Sequence, residues 1–274
     1  MDVIKTTLNI GITKPFTFLH VSDIHMAETD EGESERRREF AAKRKHHFSF
    51  SPAAVEYIRD YVRKTGYTIV NTGDMLDFIT PENLRLAKGF VKDTGMMMAS
   101  GNHEYWRCHN DRFHYDDVPE TYDRKNEMLE LVSKELGVNI RFSRKEINGV
   151  NLVCIDDSDY CIDEEIFDML KKVEAEGKPI ILFMHIPMYS EHLGKGAKFS
   201  LCAPPKYFEG CHPTDVWERT PDELTIKICD YIRSSPLIKC VISGHIHYNV
   251  EVLGKDDHDQ IVTGLDTIRE ITVI

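Results

Sequence analysis

The chain has 274 residues, 41% of them hydrophobic, with a net charge of -12 and a sequence pI of about 5.5. That is enough apolar material for a sizeable core, and the acidic balance argues against tight, sequence-independent nucleic-acid binding through a broad basic face. It leaves room for a small phosphorylated ligand, since a bound cation reverses the local field. Cys108, Cys154, Cys161, Cys202, Cys211, Cys229 and Cys240 make an odd set without a C-x-x-C pair. Reduced thiols in a cytoplasmic protein are therefore expected, rather than a disulfide framework or a zinc ribbon. The first residues lack the basic start and apolar centre of a secretion signal. No apolar run approaches the roughly 20 residues needed to span a bilayer, so no membrane partner is expected.

In chain order, Val3 to Ile10 alternates weakly as an opening strand, and Phe16 to Val21 reads as a buried strand. A charged segment from Glu28 to Lys45 reads as helix or loop and holds Arg36-Arg37-Arg38 and Lys43-Arg44-Lys45. Ser51-Pro52 predicts a helix with serine as N-cap, followed by Val55, Ile58 and Val62 at helical spacing and closed by Gly66. Tyr67 to Val70 is a strand, and Thr80-Pro81 opens another helix. Met96 to Ala99 is a strand, Tyr105 to Pro119 a loop, and Glu120 to Leu136 a helix closed by Gly137. Val138 to Phe142 and Asn151 to Ile155 are expected as strands, with a hairpin around Asn148-Gly149. Asp163 to Glu176 is a helix with Ile166, Phe167, Leu170 and Val173 inward, and Ile180 to Met184 a strand. Tyr189 to Arg219 is a long connection, of a length that in compact domains is usually functional. Thr220-Pro221-Asp222-Glu223 reads as a capping box. A strand at Val241 to Ser243 and short β runs at 250–253, 260–264 and 268–274 complete the chain. No repeat or domain boundary is visible, so one domain over 1–274 is expected.

Five of the apolar runs end in the same grammar. Phe16 to Val21 leads into Asp23-Ile-His25, Thr68 to Asn71 into Gly73-Asp74-x-x-Asp77, and Met96 to Ala99 into Gly101-Asn102-His103-Glu104. Ile180 to Met184 leads into His185, and Val241 to Ser243 into Gly244-His245-x-His247. In an open α/β sheet, chemistry sits beyond the carboxyl ends of the strands. Asp23 and His25, two residues apart on an extended strand end, share a face. One amide (Asn102), two carboxylates (Asp23, Asp74) and four imidazoles (His25, His185, His245, His247) suit two borderline divalent ions such as manganese, iron, zinc, cobalt or nickel.

These motifs, in this order over residues 23 to 247, resemble the calcineurin-like metallophosphoesterases. The resemblance implies a four-layer αββα sandwich of two mixed β-sheets flanked by helices. It implies that Asp23, His25 and His247 hold one ion, that Asn102, His185 and His245 hold a second, and that Asp74 bridges them. Manganese, iron or zinc are the expected metals. It further implies hydrolysis of a phosphate ester, a diester or a monoester, by a hydroxide formed between the ions. His103 is then the proton donor to the leaving group, and Asp77 sets its tautomer. Purple acid phosphatases carry tyrosine at the position of Asp77, and protein serine/threonine phosphatases continue the motif with Arg-Gly where Phe78-Ile79 stands; both differences point away from those branches. Segments 28–51, 105–119 and 189–219 are expected to shape the substrate site, and a small phosphorylated substrate is favoured over nucleic acid. The alternatives are a nuclease of the same fold and a metal-stabilised binding module without catalysis.

Most other notable residues have plainer readings. Arg36 to Arg38 are expected to pair with Glu33, Glu35 and Glu39 rather than to clamp a phosphate. Tyr105, Trp106 and Tyr248 are expected to pack rather than to stack on a substrate ring. The histidines outside the motifs are read as surface or packing residues. Glu104 has no role legible from sequence.

Overall fold

Val150–Ile155 (VNLVCI) and Ile180–Phe183 (IILF) are buried at every position. Near-continuous apolar strands of this kind belong to parallel sheets covered on both faces. The computed structural model describes residues 1–105, 125–209, 211, 220–256 and 258–274. The strands are β1 (Asp2–Leu8), β2 (Phe16–Val21), β3 (Thr68–Asn71), β4 (Met97–Met98), β5 (Phe142–Ile147), β6 (Val150–Ile155), β7 (Ile180–Phe183), β8 (Ile238–Ser243), β9 (Val250–Val252), β10 (Asp259–Val262) and β11 (Thr267–Val273). They form two mixed sheets, ordered β1-β11-β2-β3-β4 and β5-β6-β7-β8-β10-β9. Within the first, β2, β3 and β4 run parallel. Within the second, β6, β7, β8 and β10 do.

Three apolar clusters define the layers. Leu8, Phe18, Val70 and Met97 from the first sheet meet Leu152, Ile181, Phe183 and Ile242 from the second. Ring centroids of Phe18 and Phe183 lie 5.6 Å apart, edge to face, across this seam. On the outer face of the first sheet pack α2 (Ser51–Thr65), α3 (Pro81–Thr94) and α4 (Lys125–Leu136), through Ile58, Phe90 and Val132. On the outer face of the second pack α5 (Glu164–Glu174) and α6 (Glu223–Ser234), through Leu170, Ile228 and Ile232. The αββα sandwich expected from the sequence is what the chain forms. α1 (Glu35–His47) fills the charged segment, with Ser34 as its N-cap. No helix among the described residues is long and apolar enough to cross a membrane.

Local expectations need three corrections. Val138 to Phe142 is not a strand: Asn139 Oδ1 accepts from the amides of Arg141 and Phe142, so the backbone turns there. The strand begins at Phe142 and pairs antiparallel with β6 across Asn148 and Gly149, whose positive φ angles suit a two-residue hairpin turn. Ser51 does not cap α2, because Phe50 is already right-handed helical and Ser51 lies inside the helix. α6 is capped by Asp222, which accepts from Thr225 N at 2.7 Å, rather than by Thr220. Thr80 does cap α3 as expected.

His20 lies in β2 between Thr263 Oγ1 at 2.7 Å and Thr72 Oγ1 at 2.8 Å, fully buried. Burial, then the charge of Arg269, pushes its pKa down to about 3. An unfolded histidine titrates near pH ~6.5. A depressed folded pKa contributes stability that is complete above that value and is lost as pH falls toward the folded one. In thermal melts of the metal-free protein, His20→Gln should flatten the decline in Tm on acidification from pH ~7 to ~4. A variant whose decline parallels the parent's would contradict this assignment.

Candidate metal centre

The strand-end loops carrying the motif residues depart from extended backbone in a common way. Asp23, His25, Asp74, His245 and His247 all have left-handed backbones, with φ between 51° and 68°. Each such residue costs on the order of 1–3 kcal/mol unless its surroundings over-determine it. Here they do. Asp23 N donates to Gly73 O, His25 N to Asp74 O and Met26 N to Met75 O, so the β2 loop zips along the β3 loop. His103 N donates to Asp74 Oδ1 at 3.0 Å. His245 N donates to Asp23 Oδ2 at 3.0 Å, tying the second sheet to the first. Gly101 and Gly244 permit this approach: a Cβ on Gly101 would overlap Asp74, and one on Gly244 would overlap Ser22 and Asp23.

The side chains converge in two groups. In one, His25 Nε2 lies 3.2 Å from His247 Nε2 and 3.8 Å from Asp74 Oδ2, and His247 Nε2 lies 3.3 Å from Asp23 Oδ1. In the other, His185 Nε2 lies 3.1 Å from Asn102 Oδ1, 3.1 Å from His245 Nδ1 and 3.3 Å from Asp74 Oδ2. Asp74 belongs to both. The opposite ring nitrogens are spoken for: His25 Nδ1 donates to Asp77 Oδ1 at 2.9 Å and His185 Nδ1 to Thr72 O at 2.7 Å. Rings held this way point their other nitrogens inward, where a cation in place of a proton would meet their lone pairs. Asp23 Oδ1 is buried and accepts no hydrogen bond. Converging lone pairs and a buried, unbonded carboxylate oxygen are what divalent cations satisfy, so the donor set fits two of them.

Electrostatics agree. Burial opposes ionisation of Asp74, but His185, His103 and His25 together outweigh it and hold the carboxyl well below the usual range. At His185 burial lowers the pKa, but Asp74 with Asp23 and Asp157 together override it and lift it to about 10. The carboxylates thus draw a proton onto His185, a positive charge that a cation would supply instead. His245 is pushed down to about 3 by burial and by the charge on His185.

Asp77 and His103 are adjacent as expected, but their bonding differs from expectation. His103 Nδ1 donates to the backbone carbonyl of Asp77 at 2.7 Å and is 3.4 Å from its carboxylate. That carboxylate takes His25 and a bidentate pair from Arg44, both arms at 2.6 Å. These bonds consume the atoms of the His25, Asp77 and His103 trio, so it is no open ion site. Phe48 stacks on His25 at 4.0 Å between ring centroids.

Several supporting residues escaped the sequence reading. Glu104 is fully buried and accepts from the amides of Asp74, Gly101 and Leu76 at 2.8, 2.7 and 3.0 Å, clamping the β4 loop to the β3 loop. Asp157 accepts from the amides of His185 and Ile186 at 2.8 and 2.9 Å, and so fixes the backbone under His185. Asp156 accepts from Ser100 Oγ at 2.5 Å and pairs with Lys125 at 3.1 Å. β6 runs into Asp156-Asp157 as the other strands run into their ligands, which is the signal that could have found this pair. Tyr160 Oη lies 2.8 Å from His245 Nε2. Arg37 pairs with Glu33 at 2.7 Å and Arg38 bonds backbone carbonyls, as a solvated helix face would. Tyr105 is buried, and Tyr248 is hydrogen bonded to the Glu191–Phe199 turn. Trp106, His109, His114 and most of the 105–119 loop lie outside the described residues.

The fold is an α/β sandwich with two candidate metal-binding groups at the strand ends. The chain belongs to the calcineurin-like phosphoesterase family, whose description matches residues 16–249, and it is a metal-dependent phosphoester hydrolase. Among solved structures, a dimetal phosphatase from Danio rerio matches at a TM-score of 0.52 and 13% identity, over 91% of this chain and 87% of that one. A phosphopantetheinyl hydrolase from Mycobacterium tuberculosis matches at 0.46 and 12%, over 90% and 89%. A purple acid phosphatase from yellow lupin matches at 0.45 and 13%, over 95% of this chain but 44% of that one. No curated protein matches the chain.

Glu104→Gln keeps the shape but turns an amide N–H toward one of three backbone donors. It should cost about 1–3 kcal/mol and lower Tm by roughly 2–12 °C. A melt indistinguishable from the parent's would remove Glu104 from the clamp.

Proposed function

We propose that residues 1–274 form one cytoplasmic metallophosphoesterase domain that hydrolyses a phosphate ester of a small substrate, with two divalent ions at the shared-carboxylate site. The observation that carries this reading is the pair of inward-facing donor groups meeting at Asp74. Asp23, His25 and His247 would hold one ion, and Asn102, His185 and His245 the other, with manganese, iron or zinc suited to the donors. When bound, the ions supply a nucleophile acidified to near-neutral pH and neutralise charge on the phosphoryl oxygens.

His103 does the proton work. Its Nδ1–H is committed to the Asp77 carbonyl, which leaves Nε2 facing the site, 3.9 Å from Asp74 Oδ2. Burial pushes its pKa down to about 4, so in the resting site Nε2 carries a lone pair. An anionic phosphoryl group beside it would raise its proton affinity, after which Nε2–H can pass to the leaving oxygen. Asp77 supports His103 through its carbonyl and orients His25 through its carboxylate.

Two observations favour a small substrate over a nucleic acid. In the second basic cluster Arg44 is committed to Asp77 and Lys45 to Glu28 at 2.6 Å, and the chain is acidic overall. Buried thiols at Cys154, Cys229 and Cys240 fit a reducing compartment. The segments 28–51, 105–119 and 189–219 would set substrate choice.

The test is to strip the protein with chelator, reload it with manganese, and compare a nitrophenyl phosphate monoester with the bis-nitrophenyl diester. Hydrolysis of at least one should return with the metal, and His103→Asn should lower its kcat by about 10²–10⁴-fold with the metal content unchanged. Absence of turnover from the doubly loaded protein would overturn the reading. Undiminished turnover by the variant would remove His103 from the proton-donor role.

A further inference from the structure

The Glu191–Phe199 turn segment is moored to the loop bearing His245 and His247 at both of its ends. Toward its start, Tyr248 Oη donates to Leu193 O and accepts from Gly196 N at 2.5 Å. At its end, Tyr160 Oη lies 3.3 Å from Phe199 O and 2.8 Å from His245 Nε2. The direction of this second tether follows from elementary donor rules. A carbonyl only accepts, so the Tyr160 hydroxyl hydrogen goes to Phe199 O. The phenol oxygen is then an acceptor, and the hydrogen between it and the imidazole is the one on His245 Nε2. A neutral ring protonated at Nε2 has its lone pair on Nδ1, the atom 3.1 Å from His185 Nε2. The rings of Tyr160 and His245 meet edge to face at 5.7 Å, which fixes the plane as well as the tautomer.

We propose that Tyr160 is the positioning residue for the ion held by Asn102, His185 and His245: its hydroxyl selects the His245 tautomer with a bare Nδ1 and links that ligand to the 189–219 connection. This rests on the two-ion reading above. His25 has the Asp77 carboxylate in the equivalent place and His185 the Thr72 carbonyl. Tyr160 completes the set for the second ion, and it reaches the site from the stretch after β6 rather than from any of the five motifs. Partners of this kind typically account for 10–100-fold in metal affinity.

The experiment titrates zinc into the metal-free full-length chain in competition with a chelating indicator, for the parent and for Tyr160→Phe, with melts of both metal-free proteins. Removing one hydroxyl should weaken one of the two sites by about 10–100-fold and leave the other at parental affinity. In the zinc-loaded parent, the ¹⁵N–¹H imidazole spectrum should show a protected His245 Nε2–H that disappears or shifts in the variant. Two sites of parental affinity in Tyr160→Phe would overturn the proposal while leaving the two-ion reading intact. Equal weakening of both sites with a lowered metal-free Tm would overturn it too, since the hydroxyl would then act through general stability. A parent that binds fewer than two zinc ions would overturn both readings.

Discussion

The structure depends on a buried negative charge that two groups of side chains share. Asp74 sits at the end of β3 with a left-handed backbone, fully enclosed, and its two oxygens serve different masters. Oδ1 accepts the amide of His103, and Oδ2 faces His25 on one side and His185 on the other. Burying a carboxylate costs several kcal/mol unless charge and hydrogen bonds compensate. The compensation shapes everything nearby. Glu104 and the β2 loop hold the Asp74 backbone, and the glycine at 101 lets the β4 loop lie against it. His185 takes up a proton when no cation is present. The fold's part is to bring the carboxyl ends of parallel strands from two different sheets to one point, and the His245 N–Asp23 Oδ2 bond is where the two sheets lock.

The supporting residues follow one logic. His25 and His185 are each held through the outer ring nitrogen, by Asp77 and by the Thr72 carbonyl, and Asp157 fixes the backbone beneath His185. Arg44 neutralises Asp77, so the carboxylate can orient His25 without adding a second uncompensated charge beside Asp74. α1 is therefore more than a solvent-exposed cover. Its outer arginines are satisfied by neighbouring glutamate and backbone, while Arg44 reaches in to the site.

How much of this was legible in the sequence depends on the range of the interactions involved. The convergence of the candidate donors was legible because each stands directly after an apolar run, so strand period and donor chemistry agree within a few residues. The αββα layering came through the family resemblance carried by those motifs, since strand runs alone do not say how two sheets pack. Asp77 lies beside His103 as expected, but its carboxylate serves His25 and Arg44 instead. Arg44 lies 33 residues earlier on another element, and only tertiary docking brings it there. Tyr160 and Glu104 meet a single ring nitrogen or backbone amides, contacts with no spacing rule. The misread strand at Val138 and the misplaced cap at Thr220 share a cause: the polar side chains of Asn139 and Asp222 decided the backbone one or two residues away from where propensity put the boundary. At Ser51 the backbone is already helical at Phe50, with no side-chain cap.

The central claim is that one carboxylate holds two ions, and the most direct test is metal stoichiometry. The chelated protein, reloaded with manganese and passed through a desalting column, should retain two ions per chain by elemental analysis. Asp74→Ala should retain fewer than one while Asp23→Ala keeps one. A parent that holds a single ion, or an Asp74→Ala variant that still holds two, would contradict the account.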